Sequence, residues 1–434
     1  MIFDLPPILG LTPLIVYIIL AFNPKIHPFV NVMIGVIIGG VLTKTNLLEF
    51  GKVVYTSLGS FLGLVGFIIM LGSGLGLILK ETGVAENIVH IMMRKIGVNT
   101  MNKGILASML TSLTMVFLLS TLTGGNAVIA PIIIPLVASI GMTPSTLSII
   151  LQSAGVTGLF ISPFSPPMVT IMQITGMTYQ QILLSASLPV CIPMWIITYF
   201  YARRVQKNTV GVYAYPEGTA VDKSDYKPTP EAARATIFFT VAIVSVMMYG
   251  IIFKVGVTHA VTVMFIAAIA TGIGARLKAN QIFEMVMKGC GQYVWLFFLF
   301  IMMDPFLAFI EKSGAFTALL EISQPFINAT GKTGLAMLSA AIGVFAVQGA
   351  AVAQALMLDS VFRPIVDAVG LSMQTWALVV LIGSQMTSFA YPGLDMIAAM
   401  GTARSSDLKP MMKNGWMIIG VTMIICFIST LIFG

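Results

Sequence analysis

Charged side chains are scarce in this sequence: aspartate, glutamate, lysine and arginine together make up 9% of its 434 residues. An ordinary soluble protein has about 25%. Hydrophobic residues reach 57%, and they form several runs of about 20, the length that a helix needs to cross a bilayer. This composition excludes a soluble enzyme with a single anchor. It predicts an all-α polytopic protein of a bacterial-type inner (cell) membrane.

Cysteine and histidine are also few, with three of each. Neither set shows a disulfide or metal-ligand spacing, no GxxxxGK[ST] phosphate loop is present, and no nucleophile pairs with a base. These absences argue against an enzyme, a resident metal and ATP-driven transport by this chain alone. We expect no cofactor, with a bound sodium ion as the one candidate. The net charge of +7 comes from basic residues between apolar runs, which is typical of cytoplasmic loops and not of a nucleic-acid surface.

The apolar runs divide the chain into two halves of similar layout. The first half covers residues 1–202, the second covers 236–434, and a polar linker, 203–235, joins them. Each half holds five predicted spans and one helical hairpin candidate. The predicted spans are 9–22, 28–43, 59–79, 146–164 and 183–202 in the first half, and 236–254, 259–276, 288–310, 374–392 and 415–433 in the second. The hairpin candidates are 105–140 and 334–370.

Matching residues indicate that the halves are repeats. Gly83 aligns with Gly314, and Gly141 aligns with Gly370. Because each half crosses the membrane an odd number of times, the second half is predicted to be inverted, as in many secondary transporters. Segment 84–98, which follows Gly83, reads either as an interfacial helix that ties a mobile unit to a frame or as an ordinary helical loop.

The loop charges give an orientation. If the hairpins re-enter the membrane without crossing it, the linker lies on the same side as Arg94, Lys95 and most other basic loop residues. Positively charged loops remain in the cytoplasm. We therefore predict a cytoplasmic linker and both termini outside.

Gly124, Gly125 and Asn126 interrupt the apolar run of the first hairpin. Glycine lets the backbone turn and lets a ligand approach closely. A helix that begins after such a turn directs its N–H groups and positive dipole end at an anion. We predict substrate contacts at these residues, with Asn126 as the helix cap, and a cation contact at Thr123. The alternative is a glycine-rich packing face between membrane helices.

A second interruption, Ser162 to Pro167, closes the following span. Its prolines cannot continue a helix, so the carbonyls before them lose their intrahelical partners. Such carbonyls, with serine hydroxyls, are suitable ligands for a hard cation such as sodium. We predict substrate contacts at Ser162 and Ser165 and a cation contact at Pro163. The alternative is a span that ends at the membrane interface.

The second half carries a weaker copy of these elements. Gln348 and Gly349 stand at the tip of its hairpin candidate and are predicted substrate contacts. Its broken span supplies Ser388 as a substrate contact and Thr387 as a cation ligand.

Ionisable residues inside spans are costly and are therefore candidates for function. Asp304 lies deep in its span, and Asp395 follows the second broken span. Either carboxylate can bind sodium or carry a proton. Arg363 lies four residues from Asp359, so it either forms an ion pair there or attracts an anionic substrate.

Residues 123–165 resemble the motif region of the anaerobic C4-dicarboxylate carriers. That family has a GNA turn, a proline, an LQS element and an SPxS ending in this order. The matching segments here are Gly125-Asn126-Ala127, Pro135, Leu151-Gln152-Ser153 and Ser162-Pro163-Phe164-Ser165. The ending also resembles that of sodium/proton antiporters and gluconate or citrate permeases in the ion transporter superfamily. The resemblance implies two inverted repeats, a substrate site between hairpin tips, an elevator-like motion and a homodimer.

These patterns predict a secondary active transporter of a small carboxylate, C4-dicarboxylate-like, coupled to sodium or protons. Its expected partners are a small anionic substrate, the coupling cation, the bilayer and a second copy of the chain. A sodium/proton antiporter without an organic substrate is the alternative. A channel is a third reading, which the internal repeat disfavours.

Overall fold

The computed structural model describes residues 6–21, 25–216, 219, 228–253, 258–346 and 351–434. Helices dominate these ranges, and no β-strand occurs in them. Among the described residues, seven helices are long and apolar enough to cross a membrane, and four shorter apolar helices accompany them. The protein is therefore an all-α polytopic membrane protein, as the composition predicts.

The first half opens with a short 3-10 helix, Pro7–Leu11. Its α-helices are α1 Thr12–Ala21, α2 Pro28–Leu42, α3 Leu47–Ser57, α4 Phe61–Glu81, α5 Val84–Ile96, α6 Met101–Leu119, α7 Leu122–Ala138, α8 Pro144–Ile161, α9 Pro166–Thr175, α10 Tyr179–Ile182 and α11 Leu188–Thr209. A π-helical turn, Leu183–Ser187, joins the last two.

The second half follows the linker. Its α-helices are α12 Pro230–Ile252, α13 His259–Gly274, α14 Ala279–Gly291, α15 Val294–Lys312, α16 Ala315–Val344, α17 Ala351–Val369, α18 Met373–Gln385, α19 Thr387–Ala390, α20 Leu394–Thr402 and α21 Leu408–Phe433. Gly331 interrupts α16 with a non-helical backbone (φ 62°, ψ −160°), which divides that helix into two arms.

Polar caps fix where several of these helices begin. The side chains of Ser60, Thr143 and Ser372 each accept a hydrogen bond from the backbone N–H three residues later. Each bond satisfies one of the N–H groups that a helix start leaves without an intrahelical partner. The boundaries of α4, α8 and α18 thus follow from single hydroxyl residues.

The helix order from α2 to α9 recurs from α13 to α20, with the two arms of α16 in the places of α5 and α6. Gly83 and Gly314 both adopt a left-handed conformation (φ 73° and 76°) before α5 and α16. Gly141 and Gly370 do the same (φ 75° and 68°) before α8 and α18. The glycines that align in the sequence therefore occupy matching places in the helix order. The inverted orientation of the halves stays a prediction.

The helices pack in two groups. In the frame helices, α2 packs against α15, and α4 packs against α13, α14 and α15. The frame is tight, because a Cβ added at Gly289 would lie 2.7 Å from the Gly74 Cα. The broken-helix group comprises α6–α11 and α16–α21, in which α8 packs on α6 and α11, and α18 packs on α16, α17 and α21. Helix α5 contacts α12 on one side and α6 on the other.

The two halves interleave within the broken-helix group. Helix α9 of the first half packs against α17 of the second, and α20 packs against α7 and α8. A hydrogen bond joins the two halves, from the Gln152 side-chain amide on α8 to the Ser388 carbonyl on α19 (2.7 Å). The interruptions predicted in both halves are thus brought to one region.

The first hairpin turns one helical turn earlier than predicted. Ser120 has a left-handed backbone (φ 51°), and the Thr121 side chain caps α7 by accepting a bond from the Gly124 N–H (3.4 Å). Gly124 and Gly125 lie inside the first turn of α7. A Cβ at Gly125 would approach the backbone N and Cα of Val116 to 3.1 Å. The prediction of a turn at these glycines is wrong, because both lie within α7. Gly125 instead permits close contact between the two hairpin arms, as the packing alternative predicts.

The helices extend into both ends of the predicted linker. Helix α11 continues through Arg203 to Thr209, and α12 begins at Pro230. Between them, the Tyr215 hydroxyl donates a hydrogen bond to the Ala403 carbonyl at the end of α20 (3.0 Å). Part of the linker therefore lies against the broken-helix group.

Candidate functional site

A cavity of about 270 Å³ lies between the frame helices and the broken-helix group. One side, the helix-end wall, is formed by the hairpin tip and the ends of broken helices. Its members are residues 119–123, Leu159, Phe164, residues 166–167, residues 351–353, Gln385 and Asp395. The opposite side, the aromatic wall, comes from the frame. Its members are Pro28, Ile68, Ile69, Ser73, Tyr293, Trp295, Leu296, Leu299 and Phe300.

Four helices begin at the helix-end wall: α7, α9, α17 and α20. A helix start carries a partial positive charge and backbone N–H groups without intrahelical partners. Helix α9 begins with Pro166 and Pro167, and proline has no N–H. Among the described residues, the first turn of α7 therefore supplies N–H donors on this wall, while α9 contributes its dipole.

The hairpin tip touches the break between α8 and α9. The hydroxyl oxygens of Ser120 and Ser162 lie 3.4 Å apart. Ser165 caps α9 by accepting a bond from the Met168 N–H (3.4 Å), and its hydroxyl donates to the carbonyls of Leu159 and Ser162. Ser162 and Ser165 are buried, and the structure gives both a structural contact at the break.

The carbonyls that the prolines release have protein donors. The Tyr179 hydroxyl donates to the Ile161 carbonyl (2.8 Å), and the Ser165 hydroxyl faces the carbonyls of Leu159 and Ser162. A cation at this break would have to displace these donors. Pro163, predicted to contact the cation, is not among the residues that line the cavity.

Asp395 lies in the first turn of α20 and lines the cavity. It is the one charged side chain in the lining that the described residues provide. Its carboxylate has no ion pair and no hydrogen-bond partner within the described ranges. A helix start stabilises the charged form of a carboxylate electrostatically, whereas burial disfavours it. Thr123, which is exposed, lines the same wall from α7.

The aromatic wall contributes apolar surface and few polar atoms. Trp295 is 38% exposed and Phe300 is 2% exposed. The His27 ring meets the Trp295 ring edge to face, with centroids 4.9 Å apart. The Ser73 hydroxyl donates to the Gly289 carbonyl (2.9 Å), a contact between frame helices. Sequence reasoning missed this wall, because its residues belong to plain apolar spans that carry no interruption.

Asn126 is buried beneath the hairpin tip and does not cap α7. Its side-chain N–H donates to the Leu151 carbonyl (2.8 Å), and its oxygen accepts from the Ser112 hydroxyl (2.7 Å). One amide thus ties α7 to both α6 and α8. Asn126 therefore has a structural role between three helices and does not line the cavity, and its contact with a substrate stays a prediction.

Gln354 makes the corresponding clamp in the second half. Its side-chain N–H groups face the carbonyls of Gly343 and Gly383 and the Thr387 hydroxyl. Thr387 also donates to the Gly343 carbonyl (3.2 Å). The amide therefore ties α17 to α16 and α18. Sequence reasoning missed Gln354, although a lone amide near the start of the second hairpin helix is a usable signal.

The remaining residues predicted in the second half are either not among the cavity lining or outside the described residues. The Ser388 hydroxyl donates to the Gln385 carbonyl (2.9 Å) at the end of α18. Gln348 and Gly349 lie outside the described residues. Thr387 is buried, and its contacts include those of the Gln354 clamp.

Asp304 belongs to the frame and not to the cavity lining. Its carboxylate accepts a hydrogen bond from the Ser57 hydroxyl (2.8 Å), which joins α15 to α3. The structure therefore separates the two predicted acids: Asp395 faces the cavity, and Asp304 has a partner at a helix contact.

Arg363 lies three helical turns, about 15 Å, along α17 from the residues that line the cavity. Its guanidinium pairs with Asp367 (3.0 Å) and Asp359 (3.6 Å), both on the same helix. It also donates to the Ile174 carbonyl at the end of α9 (2.7 Å). The ion pair expected from the sequence forms, and Arg363 joins α17 to α9 outside the cavity.

The fold defines a polytopic membrane protein with a cavity between two helix groups. Residues 12–203 match the model of the Na+/H+ antiporter family. The inner membrane permease YgbN of Escherichia coli strain K12 is 25% identical over 202 residues, which are 46% of this chain. The aligned part covers 43% of that permease, so the chain matches less than half of the relative's length.

Two solved transporters share the fold over nearly the whole chain. The YdaH transporter of Alcanivorax borkumensis superposes with a TM-score of 0.56 over 93% of this chain and 97% of its own, at 13% identity. Neisseria gonorrhoeae MtrF, described as illuminating a class of antimetabolite efflux pumps, gives 0.53 over 94% and 95%, also at 13% identity. Both are named as transporters or efflux pumps, and this chain shares their fold.

Proposed function

We propose that this protein is a secondary active transporter of a small carboxylate, coupled to sodium or protons, and that its substrate binds in the cavity between the two walls. One observation carries the proposal: several helix starts face the same cavity as the Asp395 carboxylate, which has no partner among the described residues. Helix starts favour anions, and an unpartnered acid in a membrane protein favours a cation or proton. The cavity thus offers complementary places for a substrate and a coupling ion.

The carboxylate is proposed to lie against the N–H groups of Leu122 and Thr123 on α7 and of Ala351 to Ala353 on α17. The coupling cation is proposed to neutralise Asp395, either as sodium, with the Thr123 hydroxyl near, or as a proton. Gly124, Gly125 and Asn126 then support the anion site by holding α7 in place. In this assignment, Gly124, Gly125 and Asn126 position α7 and do not contact the substrate directly.

Electrostatics explains why the two ligands would be coupled. Two unit negative charges about 8 Å apart repel by about 2 kcal/mol at an effective dielectric constant of about 20. That energy corresponds to about a 30-fold change in affinity. Neutralising Asp395 removes the repulsion, so the cation should strengthen binding of the carboxylate, and the carboxylate should strengthen binding of the cation equally.

We also propose an elevator-like motion of the broken-helix group against the frame helices. The cavity lies between the groups, and α5 contacts a helix of each, which suits a connector. A cytoplasmic linker at 203–235, termini on the outside and a homodimer complete the proposal, as expected from the loop charges and the family resemblance.

Uptake by purified protein in proteoliposomes tests the proposed function. A panel of labelled carboxylates is offered under an imposed sodium gradient, an imposed pH gradient, or neither. We expect at least one carboxylate to accumulate only when a gradient is present. No gradient-dependent accumulation of any carboxylate would overturn the proposal.

A sodium/proton antiporter without an organic substrate is the second candidate, favoured by the family match over residues 12–203. It predicts that sodium added outside the liposomes alkalinises or acidifies the lumen with no carboxylate present, as a trapped pH dye reports. The carboxylate transporter predicts that a sodium pulse alone leaves the dye signal unchanged.

A further inference from the structure

The charge inside the cavity limits what the cavity can carry. Within the described lining, Asp395 supplies the one charge, and no lysine, arginine or histidine is present. The undescribed residues just before α17, Val-Gln-Gly-Ala at 347–350, contain no ionisable side chain either. Arg363 is occupied by Asp359, Asp367 and the end of α9. An anionic substrate in this cavity would therefore meet helix dipoles and N–H groups, but no fixed positive side chain.

We infer that the cargo of this cavity carries a single carboxylate on an apolar or aromatic body, and that dicarboxylates and polyhydroxylated acids are poor ligands. The inference rests on the proposed function and narrows its substrate class. It departs from the C4-dicarboxylate expected from the sequence resemblance.

The first ground is the count of negative charges. A dicarboxylate beside Asp395 would bring three negative groups together, and a single coupling cation would neutralise only one. The two remaining negative charges would lie in a site of low dielectric constant, where like charges repel strongly. A monocarboxylate with the same cation leaves one net negative charge for the helix starts to stabilise.

The second ground is the character of the opposite wall. Trp295, Phe300, Leu296 and Leu299 present rings and aliphatic groups to the part of the cavity away from the helix starts, and Phe164 adds a ring from the break. Apart from the Tyr293 and Ser73 hydroxyls, this surface offers substrate hydroxyl groups few partners, so most of them would lose water there at a cost. An apolar body would gain from burial against the same surface.

Three acids that share a six-carbon chain separate these two grounds. Hexanoate has one carboxylate and an apolar body, adipate adds a second carboxylate, and gluconate adds hydroxyl groups instead. Affinities are measured by isothermal titration calorimetry on the full chain in lipid nanodiscs, in sodium buffer and at acidic pH. Direct binding is the better readout, because neutral hexanoic acid crosses liposome membranes without a carrier.

We expect hexanoate to bind at least about tenfold more tightly than adipate, because the second carboxylate of adipate is repelled. We expect a similar difference from gluconate, because its hydroxyl groups would be left without partners. Adipate or gluconate binding as tightly as hexanoate would overturn the inference, while the proposed function would survive. If none of the three binds and no carboxylate of the uptake panel is transported, the proposed function itself fails.

Two substitutions test whether the named residues set this preference. Trp295→Ala should weaken hexanoate binding and leave gluconate binding nearly unchanged, while Trp416→Ala, at an exposed tryptophan outside the cavity lining, should alter neither. Asp395→Asn should narrow the difference between hexanoate and adipate. Monodisperse elution and an unchanged melting temperature establish that each variant is folded. A folded Trp295→Ala or Asp395→Asn variant with unaltered selectivity would contradict the inference.

Discussion

The two walls of the cavity are built from different parts of the polypeptide. The helix-end wall presents helix starts, capping hydroxyls and one carboxylate, all from broken helices. The aromatic wall presents mainly rings and aliphatic side chains of the frame helices α2, α4 and α15, two of which begin at this wall. A fixed backbone can recognise charge, while apolar side chains select the body of a ligand. In such a cavity, the backbone can recognise the charge of a ligand and the side chains its apolar body.

The walls also differ in how they are held. Two buried side-chain amides, Asn126 and Gln354, each tie three helices of the broken-helix group together. The frame relies on close packing, as at Gly74 and Gly289. Because hydrogen bonds have defined directions, the amide clamps are suited to fixing the position of helix starts near a ligand.

Removing the charge of the helix-end wall should have the largest effect. Asp395→Asn is expected to abolish gradient-driven accumulation of the carboxylate, because the neutral side chain no longer responds to the coupling cation. Asp304→Asn is the matched control, since that carboxylate contacts Ser57 outside the cavity (2.8 Å), and it should still accumulate substrate. Proteoliposome uptake compares the two, and loss of coupling in Asp304→Asn alone would reverse the assignment of the acids.

Breaking an amide clamp should come next. Asn126→Ala removes two buried hydrogen bonds, to the Leu151 carbonyl and from the Ser112 hydroxyl, which should cost about 1–3 kcal/mol. Gln354→Ala should act similarly on the second half. Thermal unfolding in detergent measures the loss against Asn208→Ala, an exposed asparagine whose removal should cost less than about 0.5 kcal/mol. Equal melting temperatures for Asn126→Ala and Asn208→Ala would show that the clamp does not hold the wall.

Crowding the first hairpin should have a smaller effect. Gly125→Ala places a Cβ 2.9 Å from a Val116 methyl and 3.1 Å from its backbone. Overpacking of this kind typically costs about 1–3 kcal/mol, and it should also shift the start of α7 and weaken substrate affinity. Gly51→Ala, with no atom within 4 Å of the added Cβ, is the control. The packing assignment fails if Gly125→Ala matches that control in both stability and affinity.

Removing the remote cation should have the smallest effect. The Arg363 and Asp367 side chains are 32% and 57% exposed, and partly exposed ion pairs typically contribute about 0–1 kcal/mol. Arg363→Gln should therefore lower the melting temperature slightly and leave carboxylate affinity unchanged. A large loss of affinity with an unchanged melting temperature would place Arg363 in substrate recognition and weaken the case for a backbone anion site.

The sequence predicts features that depend on single residues with a strong effect on the backbone. Glycine pairs such as Gly83 and Gly314 locate the repeat, and prolines at 166 and 167 locate the broken span, because these residue types constrain the backbone wherever they occur. The hairpin turn was misplaced for a physical reason. Glycine serves a turn and a close helix contact equally well, and the sequence does not reveal that Val116 lies against Gly125.

The composition of the cavity was less predictable, because it depends on contacts between distant residues. Asp304 and Asp395 look alike as isolated acids in apolar surroundings, and only the fold gives one a hydroxyl partner and the other a cavity. Trp295 and Phe300 belong to an uninterrupted span, so nothing local marks them as lining residues. The Gln354 clamp is not marked by the sequence, because a glutamine in an apolar helix does not reveal which carbonyls lie beside it.

Ligand protection of an introduced cysteine tests the central claim, that the cavity between the walls is the transport site. Because Cys191, Cys290 and Cys426 are buried, a maleimide should report on an exposed new thiol at Thr123→Cys, with Ser139→Cys at the far end of the same helix as control. A carboxylate that the protein transports, added with the coupling cation, should slow labelling at position 123 and leave labelling at position 139 unchanged. Equal labelling of Thr123→Cys with and without the transported carboxylate would contradict the claim.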